Sequence, residues 1–328
     1  MDKIVGIGNA LVDVLVLMDD DKMLEDLHLP KGSMQLIDKK TLFEIRERTV
    51  GQKLHRATGG AAANTICALA ELEAQTGFIG KVGRDEFGRF FEQTLKKRGV
   101  DTSLLKCDCP SGVASAFVSS CGERTFATYL GASATLCADD LARSMFEGYS
   151  YLYIEGYLLQ DHDLIVRAMR LAKEMGLQVC LDMASFNVVE AERDFFDMLI
   201  TKYVDIVFAN ESEARAYTGK DPQEALQEIA SKCSIVIIKT GKDGSLIKKG
   251  TEEIQAKPLP VKKVVDTTGA GDFYAAGFLY GLTCGYSLEK CAQIGTILAG
   301  SVIQTVGTAL TKKKWNEIKL NIEAVLQA

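Results

Sequence analysis

The chain has 328 residues, of which 47% are hydrophobic and 25% are charged, so it can form one large α/β domain with an appendage or two domains. Its net charge of −6 and the lack of a dense basic run argue against a nucleic-acid-binding protein. No apolar run reaches about 18 residues, so we expect no membrane span. The nine cysteines and three histidines lack metal-ligand spacing, which predicts no zinc site. The odd number of cysteines indicates reduced thiols in the cytoplasm.

Strand and helix patterns alternate along most of the chain. Such alternation is typical of a mainly parallel sheet that is covered by helices on both faces. In chain order, the predicted elements are a strand at 4–8, a helix at 61–72, a strand at 76–82, a helix at 86–98, a strand at 149–154, a helix at 164–175, strands at 178–181 and 204–208, a helix at 211–217, a strand at 235–239, a hairpin region at 245–256, helices at 273–282 and 288–304, and a last helix that begins near residue 313.

Two stretches interrupt this alternation. Residues 12–18 and 33–37 are strand-like but have no crossover helix, and residues 112–130 predict a hairpin whose turn holds Cys121, Gly122 and Glu123. These pieces would form a small β appendage inserted into the main domain. The predicted boundaries are 1–11, 52–107 and 134–328 for the large α/β domain, and 12–51 and 108–133 for the small β part.

A glycine loop opens the helix predicted near residue 273. Residues 266–272 have the sequence DTTGAGD, in which Gly269 and Gly271 let the backbone come close to a ligand. The N–H groups at the start of a helix form an anion site, and Asp272 would face that anion. A carboxylate in this place is unfavourable unless it accepts a proton from a nucleophile. The loop therefore favours phosphoryl transfer with Asp272 as the base; the alternative is that Asp272 only caps the helix.

Two motifs resemble the signatures of the ribokinase-type carbohydrate kinases, the PfkB family, which includes adenosine kinases. DTTGAGD with the following Ala276-Gly277 is similar to the C-terminal signature, and GGAAAN at 59–64 with GKVGRDEFG at 80–88 is similar to the N-terminal one. They occur in the family's order, and the resemblance covers essentially the whole chain. It implies a ribokinase-like three-layer α/β sandwich with a mainly parallel central sheet. It also implies that the small β part is a lid over the substrate and that ATP with Mg²⁺ is the phosphoryl donor.

Polar residues at the carboxyl end of the first predicted strand are candidates for the acceptor site. Asn9 and Asp13 follow this strand, and a carboxylate there can accept hydrogen bonds from two vicinal hydroxyls, although an ordinary loop aspartate is the alternative. The resemblance implies that Asp13 binds a ribose. It also implies further acceptor contacts, from sugar-binding residues and from residues that would touch a base: Gly59, Gly60, Asn64, Gln35, Ile37, Leu130, Ala132 and Leu158.

Other residues are expected on the donor side. Asn210 and Glu213 have the spacing of a helix capping box, and the resemblance gives the same pair a role with phosphate and Mg²⁺, with Glu213 acting through metal-bound water. It places Asp266 and the loop around Gly307 where relatives hold a monovalent cation such as K⁺. The loop residues Gly269, Ala270 and Gly271 are expected to be catalytic together with Asp272, because the N–H groups of Ala270, Gly271 and Asp272 would stabilise charge on the transferring phosphoryl group. The remaining nucleotide-binding residues implied by the resemblance are Thr240, Gly241, Gly244 and Thr268.

The acceptor is predicted from departures from the family pattern. Sugar kinases often carry Asp-x-Asn-x-Arg after the strand that ends here at Leu181, whereas this chain has DMASF at 182–186, which resembles the nucleoside branch. Thr268 instead resembles many sugar kinases, since adenosine kinases commonly carry Asn at this position. We expect adenosine, phosphorylated on its 5′-hydroxyl to AMP, with a sugar kinase for ribose, fructose or a related carbohydrate as the main alternative. A non-catalytic ligand-binding relative is a further alternative. The expected partner is this small molecule, for a monomer or a homodimer formed through the lid.

Overall fold

The computed structural model describes residues 2–18, 20–52, 54–119 and 124–327. Their largest element is a nine-stranded sheet, in which seven consecutive strands are parallel to one another and the two strands at one edge are antiparallel. In spatial order the strands are β14 (Glu252–Ala256), β13 (Ser245–Lys249), β12 (Ile235–Lys239), β11 (Ile206–Asn210), β10 (Gln178–Asp182), β9 (Tyr151–Glu155), β1 (Ile4–Ile7), β5 (Thr76–Gly83) and β6 (Asp101–Cys107).

Helices cover both faces of this sheet because alternate strand residues point to opposite sides. In β9, Tyr153 packs into the core on one face, and Leu152 and Ile154 pack into the core on the other. One core is closed by α3 (Ala61–Glu71), α4 (Glu86–Lys97), α10 (Ala270–Thr283), α11 (Leu288–Val302) and α12 (Lys312–Gln327), and the other by α5 (His162–Glu174), α6 (Phe186–Ala191), α7 (Arg193–Lys202), α8 (Glu211–Thr218) and α9 (Pro222–Ala230). The predicted three-layer sandwich is confirmed. No helix of the described residues is long and apolar enough to cross a membrane.

A second sheet, which we call the small sheet, has five strands among the described residues. In spatial order these are β3 (Met34–Leu36), β8 (Arg124–Tyr129), β7 (Gly112–Val118), β2 (Leu11–Leu17) and β4 (His55–Gly59). Two helices, α1 (Lys22–Asp26) and α2 (Lys39–Arg48), lie between β2 and β4 in the chain. The predicted strands at 112–119 and 124–130 do pair antiparallel, and their turn at 121–123 lies outside the described residues.

The small sheet extends further along the chain than its predicted boundaries. The predicted boundaries place residues 55–59 in the large domain, yet β4 pairs with β2, with Gly59 opposite Leu11 and His55 opposite Leu15. This strand is hard to predict because it is a polar edge strand with exposed His55 and Arg56. By strand pairing, the junction between the two sheets lies at Gly60, where α3 begins.

The parallel strands of the large sheet end together on one side. Four neighbouring strands, β9 to β12, have a polar or charged residue as their last position: Glu155, Asp182, Asn210 and Lys239. The pairing register sets Asp182 opposite Glu155 and Asn210 opposite Lys239, so these side chains form a row at one edge. Ligands of open parallel sheets bind at this edge, which makes it the candidate site.

Candidate active site

Asp272 lies in the first turn of α10, as predicted from the glycine loop. Gly269 is the N-cap residue with φ of 74°, a left-handed conformation that glycine adopts without strain. The Ala270 N–H donates to the Thr267 carbonyl oxygen at 3.2 Å. Within the described contacts, the N–H groups of Gly271 and Asp272 therefore remain for an anion at this helix start.

Helix α3 brings the second signature motif to the same place. The Asn64 side-chain amide donates to the Asp272 carboxylate at 2.9 Å, and the Thr65 hydroxyl donates to the Asp272 carbonyl oxygen at 3.1 Å. Burial raises the pKa of Asp272 to about 7, against the lowering effect of the Asn64 hydrogen bond. A carboxyl group with this pKa is suited to general-base chemistry near neutral pH.

Asn9 and the glycines before α3 are fixed by a buried carboxylate that sequence reasoning missed. Glu155 is 1% exposed and accepts hydrogen bonds from the Asn9 backbone N–H at 2.8 Å and from its side chain at 2.6 Å. It also accepts from the Ala62 N–H at 2.8 Å, at the N-terminus of α3. Gly60, with φ of 96°, would place a Cβ only 2.1 Å from the Asn9 carbonyl oxygen, so only glycine fits. Glu155 thus holds the β1 end and the α3 start together.

Asp13 lies on β2 beside the glycine pair. A Cβ on Gly59 would lie 2.0 Å from an Asp13 carboxylate oxygen, so glycine at this position leaves space for the carboxylate. Burial raises the pKa of Asp13 to about 7, and the Arg124 charge nearby opposes this rise. Asn9, Asp13, Gly59, Gly60 and Asn64 are therefore brought together, next to Asp272. The residues predicted for the acceptor side thus share one place in the fold.

Strand pairing decides which residues of β3 share a face with Asp13, since directly paired residues point to the same side of a sheet. Asp13 pairs with Ala114, Ala114 with Thr128, and Thr128 with Leu36. We call this side of the small sheet the Asp13 face. Met34, two residues from Leu36, lies on it too, and both are exposed, at 55% and 60%.

The same register places the predicted base contacts Gln35 and Ile37 on the opposite face of the small sheet. Gln35 pairs with Ala127, and Ile37 follows Leu36, so both point away from the Asp13 face. A shift of one residue exchanges the two faces of a strand, and the motif alone could not resolve it. The apolar residues of this segment on the Asp13 face are the exposed Met34 and Leu36.

The other predicted apolar contacts occupy different positions. Leu130 directly follows β8 and is half-buried, and Leu158 lies in a short helical turn after β9 with 6% exposure. Ala132 is completely buried, and its N–H donates to the Pro110 carbonyl oxygen. Leu130 and Leu158 thus keep some accessible surface, whereas Ala132 is fully buried and contributes only to packing.

Carboxylates and one lysine gather at the ends of β10, β11 and β12. Glu213 accepts from the Asn210 backbone N–H at 2.7 Å and from its side chain at 2.5 Å, which is the predicted capping box of α8. Lys239 donates to Asp182 at 3.1 Å. Burial raises the pKa of Glu213 to about 7 against the opposing charge of Lys239. Burial alone would lower the pKa of Lys239, but Asp182 and Glu213 outweigh it and raise that pKa.

A cavity of about 540 Å³ opens beside the N-terminus of α10. It contains the predicted turn residues Gly241 and Gly244, while Thr240 at the turn is buried and its N–H donates to the Gly244 carbonyl oxygen. Its walls are mostly apolar, and they come from the loop before α10 and from α11: Pro258, Leu259, Pro260, Val261, Val264, Thr296, Ala299, Gly300 and Ile303. A slot of this kind suits a flat aromatic base.

Asp266 is occupied by protein donors. Its Oδ1 accepts from the Thr268 N–H and hydroxyl at 3.1 and 2.8 Å, and its Oδ2 accepts from Arg124 at 2.6 Å and from the Gly307 N–H at 2.7 Å. Burial would raise the pKa of Asp266, but these hydrogen bonds outweigh it and lower that pKa. With four donors on two oxygens, the carboxylate is a poor ligand for the K⁺ that the resemblance implied. Its pairing with Arg124 instead links the small sheet to the loop before α10.

The raised pKa values predict how the stability of the unligated protein depends on pH. Asp13, Asp272 and Glu213 have pKa values of about 7 in the folded chain, above their ordinary 3.8 and 4.5. The stability they contribute is present below about pH 4 and is lost as the pH rises through 7. We therefore expect the Tm to fall between pH 5.5 and pH 8, and Asp272→Asn to reduce that fall by about 2 °C or more. Equal slopes for both proteins in thermal unfolding would contradict the assignment.

Comparisons with known proteins agree with this geometry. A family model described as pfkB family carbohydrate kinase matches residues 32–315. The adenosine kinase of Saccharomyces cerevisiae is 28% identical over an alignment of 341 positions, which covers 95% of this chain and 97% of the yeast protein. The structure of an adenosine kinase from Sinorhizobium meliloti matches with a TM-score of 0.86 at 33% identity, covering 97% of this chain and 99% of its own. A probable sugar kinase from Rhizobium etli CFN 42 matches with a TM-score of 0.87 at 32% identity, covering 99% of both chains. The fold is therefore ribokinase-like, and the chain belongs to the pfkB family of carbohydrate kinases and is a phosphotransferase.

Proposed function

We propose that this protein transfers the γ-phosphoryl group of ATP to the 5′-hydroxyl of a nucleoside, and that adenosine, giving AMP, is its acceptor. The observation that carries the proposal is the position of Asp272. It lies at the helix start that borders the 540 Å³ cavity, and it is hydrogen-bonded to Asn64 on the acceptor side. A donor in the cavity and a hydroxyl near Asp13 would meet at this carboxylate.

The reaction needs little covalent chemistry from the protein. Asp272 accepts the proton of the acceptor hydroxyl as its oxygen bonds to the γ-phosphorus. The bond from this phosphorus to the bridging oxygen breaks, and ADP leaves with the electron pair. The N–H groups of Gly271 and Asp272 stabilise charge on the transferring group, and the left-handed Gly269 aims them. Asp13 orients the acceptor through two of its hydroxyls.

Mg²⁺ would be held mainly by the nucleotide phosphates. Among the described residues no group of three or more His, Cys, Asp or Glu side chains could hold a metal ion by itself. Glu213 fits an indirect role, because each carboxylate oxygen that accepts from Asn210 keeps a second lone pair for a metal-bound water. Bound in this way, Mg²⁺ would supply positive charge against the phosphates.

The Asp13 face supports a nucleoside over a free sugar. Alanines at 114 and 116 make a shallow floor, and exposed Met34 and Leu36 stand at its edge. Burying a flat ring there adds about 25 cal/mol per Å² of apolar area, less the cost of ordering the small sheet. A free pentose cannot gain this contribution. The similarity to adenosine kinases supports the same acceptor. A sugar kinase remains the second candidate, supported by Thr268 and by the Rhizobium etli relative.

An ADP-release assay with a panel of acceptors tests the proposal. At fixed ATP and Mg²⁺ we expect a kcat/KM for adenosine far above that for ribose or fructose. Leu36→Ala should reduce the adenosine value about fivefold or more, because it removes buried apolar area, and should change the ribose value little. Gln35→Ala is the matched control on the opposite face of the same strand. If ribose or fructose equals adenosine, the sugar-kinase alternative holds; if no acceptor raises ADP release, the non-catalytic alternative does.

The small sheet has a defined place in this proposal. It carries Asp13, and Arg124 joins it to Asp266 near α10, so we assign it the role of a lid over the acceptor. The junction at Gly60 and the return of the chain after residue 130 would bound this lid.

A cytoplasmic location fits a kinase that uses ATP. β3 is an exposed edge strand of the small sheet, and a homodimer through the lid would form along it. Sedimentation distinguishes this homodimer from a monomer.

A further inference from the structure

Lys239 is the last residue of β12, and it lines the 540 Å³ cavity together with Ala270 and Gly271 of the α10 start. The side chain is only 14% exposed. Its Nζ donates to Asp182 at 3.1 Å. A Cβ built on Gly271 would lie 3.2 Å from this nitrogen, so the ammonium lies directly against the helix start that we assign to the phosphoryl group.

The charges around this lysine require explanation. The charges of three carboxylates, Asp182, Glu213 and Asp272, act on the Lys239 ammonium and raise its pKa, and Asp182 contacts it directly. A triphosphate entering this region would meet net negative charge, and a buried cation is the group that offsets it. Among the described residues that line the cavity, the basic side chains are Lys239 and Lys242, and Lys242 is exposed at its mouth. Lys239 is thus the largely buried cation of this cavity lining.

We infer that Lys239 is a further catalytic residue, whose ammonium contacts a γ-phosphoryl oxygen of the nucleotide; this rests on the proposed function of the site. Gly271 leaves room beside it, since a Cβ at that position would crowd Nζ at 3.2 Å. Asp182 holds Nζ in place before the nucleotide arrives. The γ-phosphoryl oxygens carry negative charge during transfer, and a fixed ammonium beside them lowers the energy of that state.

Nucleotide binding separates this role from a structural one. We expect Lys239→Met to weaken binding of the Mg²⁺ complex of the non-hydrolysable imido analogue of ATP at least about tenfold, and that of ADP less than about threefold, in calorimetric titrations. ATP-dependent kcat should fall at least about tenfold. Lys249→Met, at the exposed end of neighbouring β13, is the control for loss of a lysine charge and should keep both affinities.

The double variant Asp182→Asn/Lys239→Met tests whether the lysine only neutralises Asp182. It leaves no unpaired buried carboxylate in that pair, so it also covers the case in which the single variant does not fold. We expect it to keep the loss of preference for the imido analogue over ADP. Recovery of the wild-type preference in this variant, or equal weakening of both nucleotides, would overturn the assignment. If the wild type binds neither nucleotide, the proposed function fails with it; a wild-type preference in the variant contradicts the Lys239 assignment alone.

Discussion

Replacing Asp272 with Asn is expected to lower kcat at least about 100-fold, the low end for loss of a general base. The amide keeps the shape of the carboxyl group and can still bond to Asn64, so the start of α10 should remain intact. KM values for ATP and for the acceptor should change little, because the lost interaction acts in the transition state. Steady-state kinetics with both substrates varied is the measurement.

Asp163→Asn is the matched control for this variant. Asp163 lies in the first turn of α5, as Asp272 lies in the first turn of α10, but it is exposed and remote from the cavity. It should lose a few tenths of a kcal/mol of stability at most and keep its kcat. If Asp272→Asn also turned over at nearly the wild-type rate, Asp272 would be a helix-capping residue only.

Replacing Asp13 with Ala should act on the acceptor and hardly at all on ATP. Two hydrogen bonds to a charged carboxylate contribute about 1.5–3 kcal/mol each, so kcat/KM for the acceptor should fall at least about 100-fold. KM for ATP should stay within about twofold, since Asp13 does not line the cavity that we propose for the nucleotide. The measurement compares the specificity constants for both substrates in the two proteins.

Deoxynucleosides provide the control for the Asp13 assignment. With 2′-deoxy- or 3′-deoxyadenosine, one of the two hydrogen bonds is absent in the wild type already. The difference between wild type and Asp13→Ala should therefore shrink with these acceptors. If KM for ATP and for the acceptor rise together, Asp13 supports the fold of β2 and does not bind a hydroxyl pair.

The sequence predicted those parts of the fold that depend on local patterns. Alternating apolar strands and amphipathic helices predicted the large sheet except β6, together with most of its helices, and the glycine loop predicted the position of Asp272. Some missed elements had weak or overlooked signals. β4 is polar because it is an edge strand, whereas α9 does carry a helix-start signal, with Asp221 as N-cap and Pro222 in the first turn.

Tertiary proximity explains the site residues that were missed. Glu155 and Lys239 each end a strand in a way that is unremarkable in sequence, and only the register of neighbouring strands shows that Glu155 reaches Asn9 and that Lys239 reaches Asp182. The same reason explains why Met34 and Leu36 share a face with Asp13, whereas the predicted Gln35 and Ile37 do not. A strand motif fixes which residues alternate, but its pairing with β8 decides which set faces Asp13.

Analysis of the products formed from adenosine and ATP tests the central claim most directly. Phosphorus NMR of a reaction with the wild type should show 5′-AMP and ADP appearing in equal amounts while ATP disappears. Asp272→Asn, at the same concentration and with an intact unfolding transition, should form both at least about 100-fold more slowly. ADP that appears with inorganic phosphate and without AMP, or AMP formation that survives in Asp272→Asn, would contradict a transfer to the 5′-hydroxyl that depends on this carboxylate.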